Sequence, residues 1–154
     1  MFSESNTPSG RPSRILLVDD HPIVRFALTH IVSQESDLVV CGEASNASEA
    51  LAAIAACKPE IVLVDVSLGQ PNGLELTQTI RLTNPNLPVL VLSMHEEVLY
   101  AERALRAGAM GYVMKQEAPE TIIAAVRKVL AGDCYLSEKM TTRITEERIH
   151  VLQS

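Results

Sequence analysis

Five parallel strands alternating with five helices, a doubly wound α/β fold, is what three observations in this sequence predict. Apolar runs rich in branched residues, Ile15 to Val18, Ile61 to Val64 and Val89 to Leu92, are unbroken rather than alternating, as in strands buried on both faces. Between them lie stretches of helical period bounded by Pro, Asn and Gly. The runs also stop abruptly at polar residues, Asp19-Asp20, Asp65, Ser93 and Lys115, and in open parallel sheets chemistry collects at the carboxyl ends of the strands.

In chain order, residues 1 to 13 are rich in Ser, Asn, Pro and Gly and poor in apolar content, which predicts a disordered leader. Arg14 to Val18 is the first strand. Pro22 sits in the first turn of a helix running to about Gln34, with Ile23, Ala27, Leu28, Ile31 and Val32 at helical spacing and His30 as a structural residue. Leu38 to Glu43 form a second strand with no notable polar residue at its end. Asn46 with Glu49 three residues on resembles a capping box opening an Ala-rich helix that ends at Lys58-Pro59. After the central strand, Gly73 to Leu82 reads as the third helix, stopped by Asn84-Pro85. Val89 to Ser93 is strand four, Val98 to Ala107 the helix that Gly108 terminates, and Gly111 to Lys115 strand five. Pro119 opens a fifth helix carrying Ile122, Ile123, Val126, Val129 and Leu130 and closed by Gly132. The reading divides the chain into the leader, a domain over 14–133, and a linker or C-terminal helix over 134–154, in which Ser137 caps a helix through Met140 and Ile144.

A chain of 154 residues with 47% hydrophobic content can bury one real core. Its net charge of −6 argues against binding nucleic acid by bulk charge, which comes from Lys and Arg neutralising phosphates. Cys41, Cys57 and Cys134 are odd in number, widely spaced and without a CxxC, a pattern of reduced buried thiols that fits the cytosol. No apolar run reaches membrane-spanning length.

Parallel neighbouring strands lie about 4.8 Å apart, so Asp19, Asp20 and Asp65 converge on one small volume. Like charges there repel, and oxygen ligands of this kind suit Mg²⁺. Lys115 and Ser93, aimed at the same volume, add donors for an anion's oxygens, and the anion that fits is a phosphoryl group. Asp65 is then the nucleophile that forms an acyl phosphate, while Lys115 and Ser93 meet the equatorial oxygens. A carboxylate capping the following helix is the weaker reading of Asp65, because Gly69, Pro71 and Gly73 place several loop residues between it and any helix start.

These residues carry a resemblance. The stretch from Arg14 to about Tyr135 resembles the receiver domain of two-component response regulators, a flavodoxin-like fold. The matching features are Asp19-Asp20, Asp65 with Gly73 eight residues on, Ser93, Ala107-Gly108-Ala109 before Gly111-Tyr112, and Lys115. Asp19-Asp20-His21-Pro22 and the stretch Ala104 to Tyr112 are similar to the subfamily whose receivers precede a LuxR-type helix-turn-helix (NarL/FixJ-like). The resemblance implies that Asp20 binds Mg²⁺ directly, Asp19 through water and Ser67 through its backbone carbonyl. It also implies a sensor histidine kinase or phosphotransfer protein as partner, autophosphorylation with slow autodephosphorylation as the only turnover, and transcriptional output through a domain absent from this chain.

By the same resemblance, Ser93 and Tyr112 form a switch in which Ser93 moves toward the phosphoryl group and Tyr112 turns from solvent into the vacated space. The expected result is homodimerisation or partner binding, with no DNA binding by this chain alone. Two departures stand out: Gly69 where a proline is usual, and Gln116 where a proline often follows the Lys. His95 either screens the acyl phosphate from water or is a loop histidine without a role. A Mg²⁺-dependent aspartyl phosphatase would need a DxD pattern, a nucleotide-binding module would need a glycine-rich first turn, and the chain carries neither. A stand-alone receiver controlling a protein partner is the other reading of the tail.

Overall fold

A computed structural model describes residues 10–66, 72–94 and 98–153. Strands β1 (Ser13–Val18), β2 (Leu38–Ala44), β3 (Ile61–Asp65), β4 (Val89–Ser93) and β5 (Gly111–Met114) form one parallel sheet in the order β2-β1-β3-β4-β5. They alternate with α1 (Pro22–Ser33), α2 (Ala47–Cys57), α3 (Gly73–Thr83), α4 (Val98–Arg106) and α5 (Pro119–Leu130), and α6 (Glu138–Gln153) follows. The predicted alternation is the observed one, with element ends moved by a residue or so and the C-terminal helix present.

The strands are apolar throughout because each side of the sheet is covered. Ile15, Leu17, Ile61, Leu63, Leu90, Leu92 and Val113 pack beneath α1 and α5. The alternate residues Leu16, Val18, Val62, Val64, Val89 and Val91 pack beneath α2, α3, α4 and α6. Burying one such Leu or Val contributes about 1.5–3 kcal/mol. The helices begin where local chemistry allows. Pro22 and Pro119 occupy first-turn positions, where a missing N–H costs nothing. Asn46 accepts the Glu49 amide at 2.9 Å, as expected, but the Glu49 carboxylate accepts from Ser45 N and Oγ at 2.8 Å, one residue further back than in a capping box. The complete box is at α3, where Asn72 and Glu75 cap one another, a pair the sequence reading passed over.

Three features go beyond the expected alternation. The tail, expected as a linker or a C-terminal helix, is a helix packed into the core. Tyr135 pairs with Gly111 beside β5, its carbonyl accepting the Tyr112 amide at 3.0 Å. Ser137 Oγ then accepts the Met140 amide at 3.1 Å and starts α6, whose Met140 and Ile144 are buried in the cluster that holds Tyr112. Second, β2 carries a bulge: Ile15 pairs with Val40 but Leu16 with Gly42, leaving Cys41 unpaired. That extra residue flips the strand, so Leu38 and Val40 face α1 and α5 while Ala44 faces α2. Third, the cysteines are not deeply buried. Cys134 is exposed, and Cys41 and Cys57, distant in sequence, are half-buried neighbours. No described helix is long and apolar enough to cross a membrane.

Candidate functional site

The site is assembled by strand register. Val18 pairs with Val64, so the next residue of each strand, Asp19 and Asp65, emerges side by side at the carboxyl edge of the sheet. Backbone bonds hold both ends: Asp19 N donates to Ala44 O at 3.0 Å and Val66 N to Leu92 O at 2.9 Å. On the other flank, Lys115 N donates to Ser93 O at 2.8 Å, fixing the residue after β5 against the end of β4. Four of the five strands thus converge on one pocket, and Asp19, Asp20, Asp65, Ser93 and Lys115 all come to it.

Asp65 is 0% exposed and Asp19 2%, whereas Asp20 lies at the open rim. Lys115 reaches in with Nζ 2.9 Å from Asp19 Oδ2 and 3.0 Å from Asp65 Oδ1. Burial works against its charge, but the two carboxylates outweigh burial and hold the ammonium above the usual lysine range. Sequence reasoning missed one member of the cluster, His21, whose Nδ1 lies 3.0 Å from both Asp19 Oδ1 and Asp20 Oδ1 and 3.9 Å from Asp65 Oδ2. Its place directly after the acidic pair was the available signal. Arg25 was missed too: it donates to the Asp19 carbonyl and, through Nε, to Glu43 Oε1 at 3.1 Å, tying α1 to the acidic loop. Ser67, Gly69, Pro71 and His95 lie outside the described residues.

A divalent cation fits this donor set. Oxygens of Asp19, Asp20 and Asp65 and a nitrogen of His21 lie within 4.8 Å of one another. Asp19 Oδ2 is buried and receives no well-directed hydrogen bond, its contact with Lys115 being an ion pair off the hydrogen-bond axis. A buried carboxylate oxygen in that condition is a position a hard cation satisfies.

Gly73 explains its own spacing from Asp65. A Cβ there would fall on the Asp65 carbonyl oxygen and within 2.8 Å of Val66 Cα, so α3 can start this close to the end of β3 only without a side chain. Gly73→Ala is expected to cost roughly 1–3 kcal/mol, the usual range for overpacking, and to disturb Asp65 at the same time. Urea denaturation measures the first effect, and an unchanged midpoint would contradict the close approach.

Tyr112 sits differently from expectation. Instead of facing solvent it is 1% exposed, enclosed by the cluster to which α6 contributes Met140 and Ile144. The tail helix supplies the apolar cover that makes the inward position favourable. The α5 stripe of Ile122, Val126 and Val129 is spent on the sheet, and the large apolar side chains left in solvent include Ile23 (82% exposed) and Phe26 (77%) on α1 and Met94 (51%) directly after Ser93.

Fold and pocket together define a doubly wound α/β protein of flavodoxin-like topology with a lysine-closed acidic site at the carboxyl edge of its sheet. The response regulator receiver domain family matches residues 15–127, and the chain belongs to it. Among curated relatives, the transcriptional activator protein ExaE of Pseudomonas putida is 38% identical over 130 residues, covering 84% of this chain and 61% of its own. The nitrate/nitrite response regulator protein NarL of Escherichia coli K12 is 35% identical over 132 residues, covering 84% and 60%. The chain therefore spans less than two thirds of these relatives. Among solved structures, a LuxR-family two-component response regulator from Aurantimonas sp. SI85-9A1 superposes with a TM-score of 0.84 at 36% identity, covering 90% of this chain and 99% of that one.

Proposed function

We propose that the chain receives a phosphoryl group on Asp65 from a phosphohistidine of a sensor kinase or phosphotransfer protein and converts it into a change of interaction surface. The observation that carries this reading is the buried Asp65 carboxylate, held 3.0 Å from the Lys115 ammonium beside an under-satisfied Asp19 oxygen. A carboxylate so placed can act as nucleophile: an Asp65 oxygen forms a bond to phosphorus, the phosphorus–nitrogen bond breaks, and its electron pair leaves with the imidazole. Lys115 follows the charge from Asp65 onto the phosphoryl oxygens, and the Ser93 hydroxyl donates to one of them.

Mg²⁺ would be held by Asp19, Asp20, Asp65 and the Ser67 carbonyl. When bound it supplies positive charge opposite the phosphoryl oxygens. Replacing Asp20 by Ala removes the rim ligand and leaves the nucleophile in place. We expect Mg²⁺ affinity to fall at least tenfold, about 1.4 kcal/mol, in a titration followed by calorimetry, and wild-type affinity in that variant would sink the acidic-pocket reading.

The added charge of about −1.5 to −2 draws Ser93 toward Asp65. Because Tyr112 is already inside, the consequence reads out through the cluster it shares with α4 and α6. Ile23, next to His21-Pro22, and Phe26, one turn further on, favour docking of a phosphodonor protein or a second copy beside the pocket. By likeness to its relatives, the output is regulation of transcription through a LuxR-type domain, and control of a separate protein partner is the second reading. Sedimentation with and without beryllofluoride tests self-association. An unchanged mass would remove the dimer from the reading and leave a partner as the output.

A further inference from the structure

Cys41 and Cys57 stand apart from the phosphoacceptor pocket, and nothing in the proposed phosphotransfer uses them. Their sulfurs are 2.8 Å apart although the residues are separated by 16 positions. Two features of the fold produce this contact. The bulge in β2 leaves Cys41 unpaired at the point where the strand turns its side chains from the α1 and α5 side to the α2 side. Gly42, next to it, leaves room for the partner: a Cβ there would come within 3.3 Å of Cys57 Sγ and of Leu16 Cδ1. Cys57 is the last residue of α2 and is followed by Lys58 in the left-handed conformation, whose carbonyl is clamped by Arg14 Nε at 3.0 Å and Nη2 at 2.8 Å. Both ends of the contact are therefore held by backbone structure rather than by mobile loops.

We propose that Cys41 and Cys57 form a thiol pair that a hydroperoxide oxidises to a disulfide joining β2 to α2. One sulfur attacks the distal peroxide oxygen, the oxygen–oxygen bond breaks, and the alcohol or water leaves, giving a sulfenic acid. The second sulfur attacks the sulfenyl sulfur and its hydroxyl departs as water with the remaining proton, so two thiols lose two electrons and the peroxide gains them. Because the sulfurs already touch, closing to a bond of about 2.05 Å needs a movement of under about 1 Å. Burial, with a further contribution from Cys57, pushes the Cys41 thiol up to about 12, so Cys41 rests protonated near neutrality and the crosslink forms faster as pH rises.

The test uses the whole chain at low concentration, treated with hydrogen peroxide and then alkylated, with the exposed Cys134 reporting the oxidant dose. Cleavage after glutamate separates Cys41 from Cys57, because Glu43 and Glu49 lie between them. The expected result is a reducible link between those two peptides, formed faster at pH 9 than at pH 7, with a melting temperature raised by roughly 5–10 °C as expected for closing a loop of this length. If Cys134 is fully oxidised while Cys41 and Cys57 still take up the alkylating agent, the pair is not a redox site. A link that lowers the melting temperature would show that the native geometry does not hold the sulfurs in place.

Discussion

Asp65→Asn is expected to abolish phosphoryl uptake from acetyl phosphate and Mg²⁺. The wild-type chain should gain a single phosphoryl group that survives acid and is lost in alkali, as an acyl phosphate is. The amide of Asn is isosteric with the carboxylate but has no anionic oxygen to form the bond to phosphorus, so the loss should be complete rather than partial. The substitution also removes one of the charges crowded beside Asp19, which is 2% exposed, so folding should not suffer. Intact mass before and after an alkaline wash reads the outcome. Full modification of the variant would assign the chemistry to another residue and end the case for Asp65.

Lys115→Ala should carry the largest cost to stability in the pocket. It removes the ammonium that lies 2.9 Å from Asp19 and 3.0 Å from Asp65, leaving two buried carboxylates without their counter-charge. Breaking a fully buried pair this way costs about 3–5 kcal/mol, and the opening of this pocket at its rim lowers the expectation to roughly 2–4 kcal/mol. The pH dependence has a definite sign. Lys115 has a folded-state pKa above its ordinary 10.5, so its contribution is fully present below that value and is lost as pH rises through the higher folded value. The gap between wild type and variant should stay constant from neutral to mildly alkaline pH and close only in strong alkali. Phosphoryl uptake should slow about 100-fold, as when one donor to a developing charge is removed, while Mg²⁺ binding is retained. Equal urea midpoints for the two chains at pH 7 would contradict the ion-pair geometry.

Much of this was legible in the sequence, for a physical reason. Strands buried on both faces must be continuously apolar, and the end of such a run is a sharp event in sequence. Ile61 to Asp65 and Arg14 to Asp20 therefore announce both the sheet and the acids at its edge. Ser93 and Lys115 were found the same way, by position at a strand end. His21 escaped because a lone histidine next to two aspartates has no periodic signal, and its contact with both acids depends on how the loop after β1 turns.

What the sequence by itself determined, then, is the alternation of elements and the residues delivered to the carboxyl edge, because both follow from local periodicity and from where each apolar run stops. Only the tertiary structure decided what depends on residues far apart along the chain. Tyr112 is enclosed rather than outward because α6, some thirty residues later, lays Met140 and Ile144 in the same cluster. Ile23 and Phe26 on α1 stay in solvent while Ile122, Val126 and Val129 on α5 do not, because the sheet takes the α5 stripe for its own cover. Cys41 meets Cys57 because one extra residue in β2 turns the strand over. Burial and proximity of this kind are properties of the packed chain, set by which surfaces meet, and no local stretch of sequence encodes them.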